Sequence, residues 1–325
     1  MRRRMNISTS LNSKYMRYTC VMLTSFFENQ PKDLDINVYL LHSDLTSEDQ
    51  VQLQQVVDSY GGTLHLIYID RTLFPERCPV SESWSLETYF RLALLEVLSE
   101  DVDRLLYLDV DIIVNQSLTE LYFQDFEGNM VCACRDSWQG DIPDIRMEIF
   151  KEHLERGFTY FNAGVMLWNI AGMRGKYGLE GYLQVAEELD YCMLAPDQDL
   201  LNLVHWHEAK ILDETRYNLF ARLAYNHDIH YEEVKEQVAI VHFPGYKPWN
   251  GASLHFDIEE LWWDYAKITP FYMEFMEEYL KDSIRNPYLF DTMRRMSDEK
   301  KMLTDELNKS VALCQKLYEM VQGSK

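Results

Sequence analysis

The stretch LLYLDVDIIV, residues 105–114, has the composition of a buried strand apart from two acidic side chains. Leucine, tyrosine, isoleucine and valine make up most of it, and Asp109 and Asp111 stand in its middle. Burying a carboxylate is costly unless a charge or a hydrogen bond compensates it. A bend at this point would let both aspartates reach one divalent cation, because such cations take oxygen ligands. The alternative is a turn in which both carboxylates are solvated.

Strand-like and helix-like segments alternate on the way to this stretch. Apolar runs predict strands at residues 5–11, 36–42, 63–70 and 103–111. Helical spacing and helix-end signals predict helices at 15–31, 46–62 and 87–99. This order is typical of an α/β fold with a central, mostly parallel sheet covered by helices. Ligands of such sheets bind outside the carboxyl ends of the strands, which is where Asp109 and Asp111 lie.

Three later segments place polar residues inside or beside apolar runs. YFNAGVMLWNI (160–170) is an apolar run that contains Asn162. APDQDLLNLV (195–204) predicts a helix start, with proline and acidic residues in the first turn. VAIVHFPGYKPWN (238–250) predicts a strand that ends at His242 and a glycine- and proline-containing loop after it.

The C-terminal part of the chain changes in composition. We predict one domain over residues 1–280 and a helical extension over 281–325. From about residue 297, apolar residues recur at spacings of three and four on a charged background, which predicts an amphipathic helix. Such a helix would pack on the domain or on a second copy of the chain, so a homodimer is one predicted assembly.

Composition excludes several classes of function. The 325 residues are 47% hydrophobic, enough for a large core, and contain no apolar run of the length that crosses a membrane. The net charge of −22 argues against nucleic acid as a main partner. No glycine-rich dinucleotide or P-loop motif follows the first strand. We expect a cytoplasmic protein, with peripheral attachment to the inner face of the membrane left open.

Three isolated residues extend the metal hypothesis. His242 ends a strand and would supply a nitrogen ligand; the alternative is a hydrogen-bonded histidine at the sheet rim. Lys247 lies in a loop beside Gly245, where backbone can approach a ligand closely, or is a solvated lysine. Arg91 is a charge on an apolar helix, where it contacts a ligand or forms a structural salt bridge. Acidic residues, a histidine and a lysine together suit a metal–diphosphate.

Four segments in this order resemble glycosyltransferase family 8, the retaining nucleotide-sugar transferases. RLLYLDVDIIV resembles the family's D-x-D strand and YFNAGVMLWN its FNAGV segment. PDQDLLN resembles its DQD segment and HFPGYKPW its H-F-x-G-x-x-K-P-W loop. The resemblance runs from about residue 5 to 270. It implies a GT-A type nucleotide-sugar-binding fold, a UDP-sugar donor, and Mn²⁺ with Mg²⁺ as the alternative.

The resemblance also implies roles for individual residues. The implied metal ligands are Asp109, Asp111 and His242. The implied diphosphate contacts are Gly245 and Lys247, and the uridine and ribose contacts are Ser10, Leu11, Asn12 and Tyr15. The implied surroundings of the donor sugar are Arg91, Val110, Asp136, Asn162, Ala163, Asp197 and Gln198. The chain departs from the family at Asn12, where an aspartate is usual, and at Lys14, where asparagine is common.

The implied activity is transfer of a hexose, galactose or glucose, to a glycan or lipid-linked acceptor, as in cell-surface polysaccharide synthesis. Retention permits a covalent glycosyl–enzyme, for which Asp199 is the nearest carboxylate candidate, or same-face attack, with Gln198 near the anomeric carbon. We favour same-face attack. Two other functions remain as alternatives: a catalytically degenerate sugar-nucleotide-binding protein, and a metal-dependent phosphohydrolase that uses the same carboxylates.

Overall fold

The computed structural model describes residues 3–81, 85–136, 149–153, 155–251, 256–285, 297, 300–304 and 307–311. The chain divides into two compact units, Met1–Pro248 with His255–Tyr272 and Trp249–Leu254 with Met273–Lys325. The candidate site described below lies entirely in the first unit. The domain boundary at residue 280 and the homodimer stay predictions, because many residues of the predicted C-terminal extension lie outside the described residues.

Ten strands are present in the described part of the chain. Their bounds are β1 Arg4–Ser10, β2 Asp35–His42, β3 Thr63–Tyr68, β4 Leu105–Leu108, β5 Ile112–Val114, β6 Val131–Arg135, β7 Phe161–Trp168, β8 Ala209–Leu212, β9 Leu219–Phe220 and β10 Ile240–His242. Seven of them form one sheet in the order β3-β2-β1-β4-β7-β6-β8. Only β7 runs against its neighbours in this sheet, so the predicted mostly parallel arrangement is confirmed. A second sheet has the order β5-β10-β9.

Helices connect and cover these strands. The α-helices of the described residues for which bounds are defined are α1 Met16–Glu28, α2 Ser47–Ser59, α3 Leu94–Val97, α4 Thr119–Phe123, α5 Ile170–Met173, α6 Leu179–Glu188, α7 Pro196–His205, α8 Glu214–Tyr217, α9 Ala221–Asn226, α10 Tyr231–Gln237, α11 Glu260–Ala266 and α12 Tyr272–Arg285. Short 3-10 helices lie at Ser13–Tyr15, Arg71–Leu73, Leu86–Ala93 and Asp257–Glu259.

The helix caps and buried strands predicted from the sequence are present in the structure at the predicted positions. Thr46 caps α2: its side chain accepts from the Asp49 N–H, while the Asp49 carboxylate accepts from the Thr46 N–H. Pro196 occupies the first turn of α7, where its missing N–H costs no helical hydrogen bond. The strands β1 and β4 are almost wholly buried, as expected of strands covered on both faces.

The segment predicted as a helix over 87–99 differs in detail. It is a 3-10 helix over Leu86–Ala93 that passes into the short helix α3. Six of the eight residues of the 3-10 helix are buried, including the charged Glu87 and Arg91. The segment is therefore buried over most of its surface, rather than along the single apolar stripe expected of a helix that packs on a core.

The stretch from residue 105 to 114 is split between the two sheets. β4 belongs to the seven-stranded sheet, β5 belongs to the three-stranded sheet, and the chain turns between them at residues 109–111. The bend that a shared cation would require is therefore present. Within the described residues, no helix combines the length and the apolar character needed to cross a membrane.

Candidate active site

A cavity of about 550 Å³ opens at the carboxyl ends of β1 and β4. Fifteen of the seventeen predicted site residues line it: Ser10, Leu11, Asn12, Tyr15, Arg91, Asp109, Val110, Asp111, Asn162, Ala163, Asp197, Gln198, His242, Gly245 and Lys247. The other two, Asp136 and Asp199, are outside its lining. The family resemblance therefore selected side chains that the fold brings to one place.

Three of these side chains form a cluster with the geometry of a metal site. One oxygen each of Asp109 and Asp111 and a ring nitrogen of His242 lie within 4.8 Å of one another. His242 Nε2 is 3.3 Å from Asp111 Oδ1 and 4.0 Å from Asp109 Oδ2. Strand pairing assembles the cluster, because His242 is opposite Ile112 in the β5–β10 pair and the Phe243 N–H donates to the Asp111 carbonyl oxygen.

A chain of hydrogen bonds orients the His242 ring. Asn162 Oδ1 accepts from the Gly164 N–H and from Asn218 Nδ2. Asn218 Oδ1 therefore faces His242 Nδ1, at 2.9 Å, and Nδ1 carries the proton of this bond. The Nε2 atom faces the two carboxylates, as the free ring nitrogen of a metal-ligating histidine does when its other nitrogen is hydrogen-bonded. Two carboxylates and an imidazole nitrogen fit a divalent cation at this position.

The backbone of β7 leaves room for this cluster only because residue 164 is glycine. A Cβ atom there would lie 2.6 Å from Asp109 Oδ2 and 2.6 Å from His242 Cε1. The same residue accepts from the Asp109 N–H at 2.8 Å through its carbonyl oxygen. Gly164 thus fixes the start of the bend and leaves space for two of the three candidate ligands.

Arg91 connects the cluster to helix α7. Its guanidinium donates to Asp109 Oδ1 at 2.8 Å and pairs with Asp197 Oδ2 at 3.0 Å, and it lies over the Tyr107 ring. Burial opposes the charge of Arg91, but Asp109 and the other neighbours keep its pKa above its ordinary value. Burial also raises the pKa of Asp197 to about 6, against the lowering effect of Arg91. The salt bridge predicted as the alternative role of Arg91 is present, and Arg91 also lines the cavity.

Lys247 reaches the cluster from the loop after β10. Its ammonium group pairs with Asp111 Oδ2 and donates to the Phe243 carbonyl oxygen at 3.0 Å. Burial raises the pKa of Asp111, but Lys247 and His242 outweigh burial and hold this pKa well below its usual range. Asp111 is therefore ionised at every physiological pH. Gly245, with a φ of +81°, provides the left-handed turn that brings Lys247 back over the site.

Gln198, on the first turn of α7, is held by four hydrogen bonds. Its amide oxygen accepts from the Ala163 N–H at 2.9 Å and from Asn162 Nδ2 at 3.0 Å. Its amide nitrogen donates to Asp136 Oδ2 at 2.7 Å and to the Tyr160 hydroxyl at 3.1 Å. Asp136 thus contacts the site through Gln198, and the amide cannot rotate without breaking these bonds.

Asp199 lies behind the cavity wall and is fully buried. Its carboxylate accepts from the Leu194 and Ala195 N–H groups at 2.9 and 3.0 Å and from the Tyr160 hydroxyl at 2.5 Å. These bonds tie the segment before α7 to the helix. The arrangement is that of a structural carboxylate at a helix start.

The opposite end of the cavity is built from the loop after β1. Ser10 hydrogen-bonds the Tyr107 hydroxyl at 2.5 Å, and Asn12 Nδ2 donates to Glu87 Oε2 at 3.3 Å.

Seven lining residues were not predicted: Ser85, Glu87, Thr88, Tyr107, Gly164, Ala195 and Pro244. Glu87 had a usable signal, because it is a second charged residue close to Arg91 in a segment that reads as a helix with an apolar face. Gly164 also had a signal in the sequence, because it is the glycine of the FNAGV segment.

The chain matches known proteins over most of its length. Glycosyl transferase family 8 matches residues 6–253. A lipopolysaccharide 1,2-glucosyltransferase from Escherichia coli is 27% identical over 75% of this chain and 73% of its own length.

Two solved structures of the galactosyltransferase LgtC share the fold. One, in complex with donor and acceptor sugar analogues, has a TM-score of 0.68 at 26% identity and covers 82% of this chain and 96% of its own. The other, an active-site variant with glutamate in place of a glutamine, has a TM-score of 0.67 at 26% identity and covers 81% and 95%. With a family match over three-quarters of its residues and a GT-A neighbour of similar length, this chain is a member of glycosyltransferase family 8.

Proposed function

We propose that this glycosyltransferase uses a divalent metal ion and a UDP-sugar, and transfers galactose or glucose with retention of configuration. The observation that carries the proposal is the cluster of Asp109, Asp111 and His242 at one end of a cavity that also contains Lys247. The similarity to a lipopolysaccharide glucosyltransferase and to LgtC supports a hexose donor and a glycan or lipid-linked acceptor.

In this proposal Asp109, Asp111 and His242 hold Mn²⁺, with Mg²⁺ as the second choice. A nitrogen ligand beside two carboxylates favours Mn²⁺, since Mg²⁺ prefers oxygen ligands. The bound ion would offset the negative charge that develops on the departing diphosphate. Lys247, which pairs with Asp111, would share this task by donating to a phosphate oxygen.

The residues around Arg91 would hold the donor sugar. The carboxylate of Asp197, oriented by Arg91 at 3.0 Å, would accept from a sugar hydroxyl. Asn162 and the backbone at Ala163 lie beside Gln198 in the same wall. Discrimination between galactose and glucose would then depend on which hydroxyl configuration these fixed acceptors can reach.

We propose same-face attack rather than a covalent intermediate on Asp199. Asp199 is fully buried, has three hydrogen-bond donors of its own and is outside the cavity lining. Gln198 lines the cavity, and its fixed dipole would lie near the positive charge that develops on the sugar. In LgtC a glutamine belongs to the active site, which supports an active-site position for Gln198.

The decisive experiment is a thermal-shift screen of UDP-galactose, UDP-glucose and other nucleotide sugars with and without Mn²⁺, followed by an assay of UDP release. A ligand that binds the folded protein raises the unfolding midpoint by mass action, so the donor gives the largest shift. Metal-dependent binding with UDP release supports the proposal. Binding without release from any sugar nucleotide would instead indicate a degenerate binding protein, and no metal-dependent shift would contradict the metal site.

A further inference from the structure

Glu87 is a buried carboxylate in the wall of the cavity, 5% exposed, at the end away from the metal cluster. It contacts the segments that follow three neighbouring strands: Asn12 after β1 at 3.3 Å, Ser43 after β2 at 3.2 Å and Arg71 after β3 at 3.6 Å. Arg91, four residues later in the same 3-10 helix, contacts Asp109 beyond β4. The 3-10 helix Leu86–Ala93 therefore crosses the cavity, with Glu87 over the β1–β3 half and Arg91 over the metal half.

Two residues with hydrogen-bond acceptors, Asn12 and Glu87, line the β1–β3 half. Asn12 donates to Glu87 through Nδ2, and its Oδ1 is buried with no hydrogen-bond partner among the described residues. The bonds to the Glu87 carboxylate are long, and a carboxylate has about four acceptor positions, so it retains capacity. A buried acceptor without a partner is unfavourable. This part of the cavity is therefore suited to a ligand group that donates.

We propose that Glu87 and Asn12 together read the base of the nucleotide, by accepting the N3–H of uracil. This inference rests on the proposed function, which places a nucleoside diphosphate in the cavity. With the diphosphate at Lys247 and the metal cluster, the nucleoside would extend toward β1. Uracil has a donor at N3, whereas cytosine has a lone pair there, which a carboxylate repels. Guanine also donates, at N1 and N2, so the choice of uracil over guanine follows from the UDP-sugar of the proposed function. Glu87 also supplies, from another element, the carboxylate that the family usually has at the position of Asn12.

The proposal has a direct test on the protein. Calorimetric titration with UDP, CDP and GDP in the presence of Mn²⁺ compares the wild type with Glu87→Gln and with Glu76→Gln, an exposed control. The wild type should bind UDP at least tenfold more tightly than CDP, since a hydrogen bond to a charged group is worth roughly ten- to a hundredfold. Glu87→Gln should weaken UDP binding about tenfold and bring CDP to within about threefold of UDP, because an amide can also donate. Glu76→Gln should match the wild type.

A ligand-side measurement does not depend on the fold of a variant. UDP methylated at N3 lacks the donor, so the wild type should bind it at least about tenfold more weakly than UDP. Equal affinity for UDP and its N3-methyl form, or an unchanged UDP-to-CDP ratio in Glu87→Gln, would overturn the assignment and point to the ribose as the group contacted. Tighter binding of GDP than of UDP would also overturn it. If the wild type binds none of these nucleotides, the proposed function itself fails.

Discussion

The two ends of the cavity are held in different ways. At the metal end, Arg91, His242 and Gln198 are each fixed by partners from other elements, and opposite charges lie in contact. At the β1 end, Asn12 Oδ1 has no partner among the described residues, and the bonds to Glu87 are long. Under the proposed function, the metal end would be preorganised for chemistry and the β1 end would be completed by its ligand. Substitutions at the metal end should therefore reduce turnover, while those at the β1 end should change which nucleotide binds.

The largest expected effect is that of Asp111→Asn. The substitution removes a proposed metal ligand and a charge that both His242 and Lys247 face, so metal binding and sugar transfer should fall together. A loss of activity on the order of a thousandfold corresponds to the several kcal/mol that a metal ion supplies. UDP release and Mn²⁺ binding by electron paramagnetic resonance measure the two effects. Asp58→Asn, on the exposed surface of α2, is the matched control, and undiminished Mn²⁺ binding in Asp111→Asn would disprove the ligand assignment.

The next largest effect is expected of Gly164→Ala, with Gly181→Ala as its control. Gly164→Ala places a methyl group against Asp109 and His242, so we expect roughly a hundredfold loss of activity, of the size that a misplaced metal environment produces. Gly181→Ala, on α6, meets nothing within 4 Å and should leave activity unchanged while stabilising the helix by up to about 1 kcal/mol. Steady-state kinetics and thermal unfolding separate the two variants. Equal activity in both would show that the cluster tolerates displacement.

Asp199→Asn tests whether this carboxylate serves the structure or the chemistry. Because the Asp199 carboxylate accepts three hydrogen bonds, the substitution should lower the free energy of unfolding by about 1–3 kcal/mol. It should reduce turnover less than Asp111→Asn does. Denaturant unfolding and UDP-release assays measure both. Incubation of the wild type with a slow fluorinated donor should give no covalent sugar on Asp199 by mass spectrometry. Such an adduct would replace same-face attack with a covalent route.

The smallest expected effect is a pH dependence from Asp197. Because burial raises the pKa of this carboxyl to about 6, it becomes protonated as the pH falls through 6, and its pairing with Arg91 weakens. UDP-sugar affinity should then fall a few-fold between pH 7 and 5, and Asp197→Asn should remove this change. The effect on stability has the opposite sign: the folded state binds the proton more tightly than the unfolded state, so this group favours folding as the pH falls. A pH titration of donor affinity for the wild type and for Asp197→Asn checks the prediction. Identical profiles would show that Asp197 is not the source of the pH dependence.

Much of the fold was predictable because its signals are local. Alternating strands and helices, the capping residues of α2 and the proline of α7 act on their immediate neighbours in the chain. The 3-10 winding of Leu86–Ala93 was not predictable, since no signal in its sequence distinguishes it from an α-helix. The same holds for Asp136 and Asp199: the sequence places them near the site, but only the packing of α7 against β7 shows which side chains face the cavity.

The sequence by itself determined an α/β chain of glycosyltransferase family 8 with two aspartates at the end of a buried strand. It also identified His242 and Lys247 as their companions, through motifs rather than through distances. The tertiary structure decided how they meet, because residues more than 130 positions apart are aligned by the register between β5 and β10. It alone brought Glu87 into the cavity beside Asn12, since that contact depends on how a buried 3-10 helix crosses three strand ends.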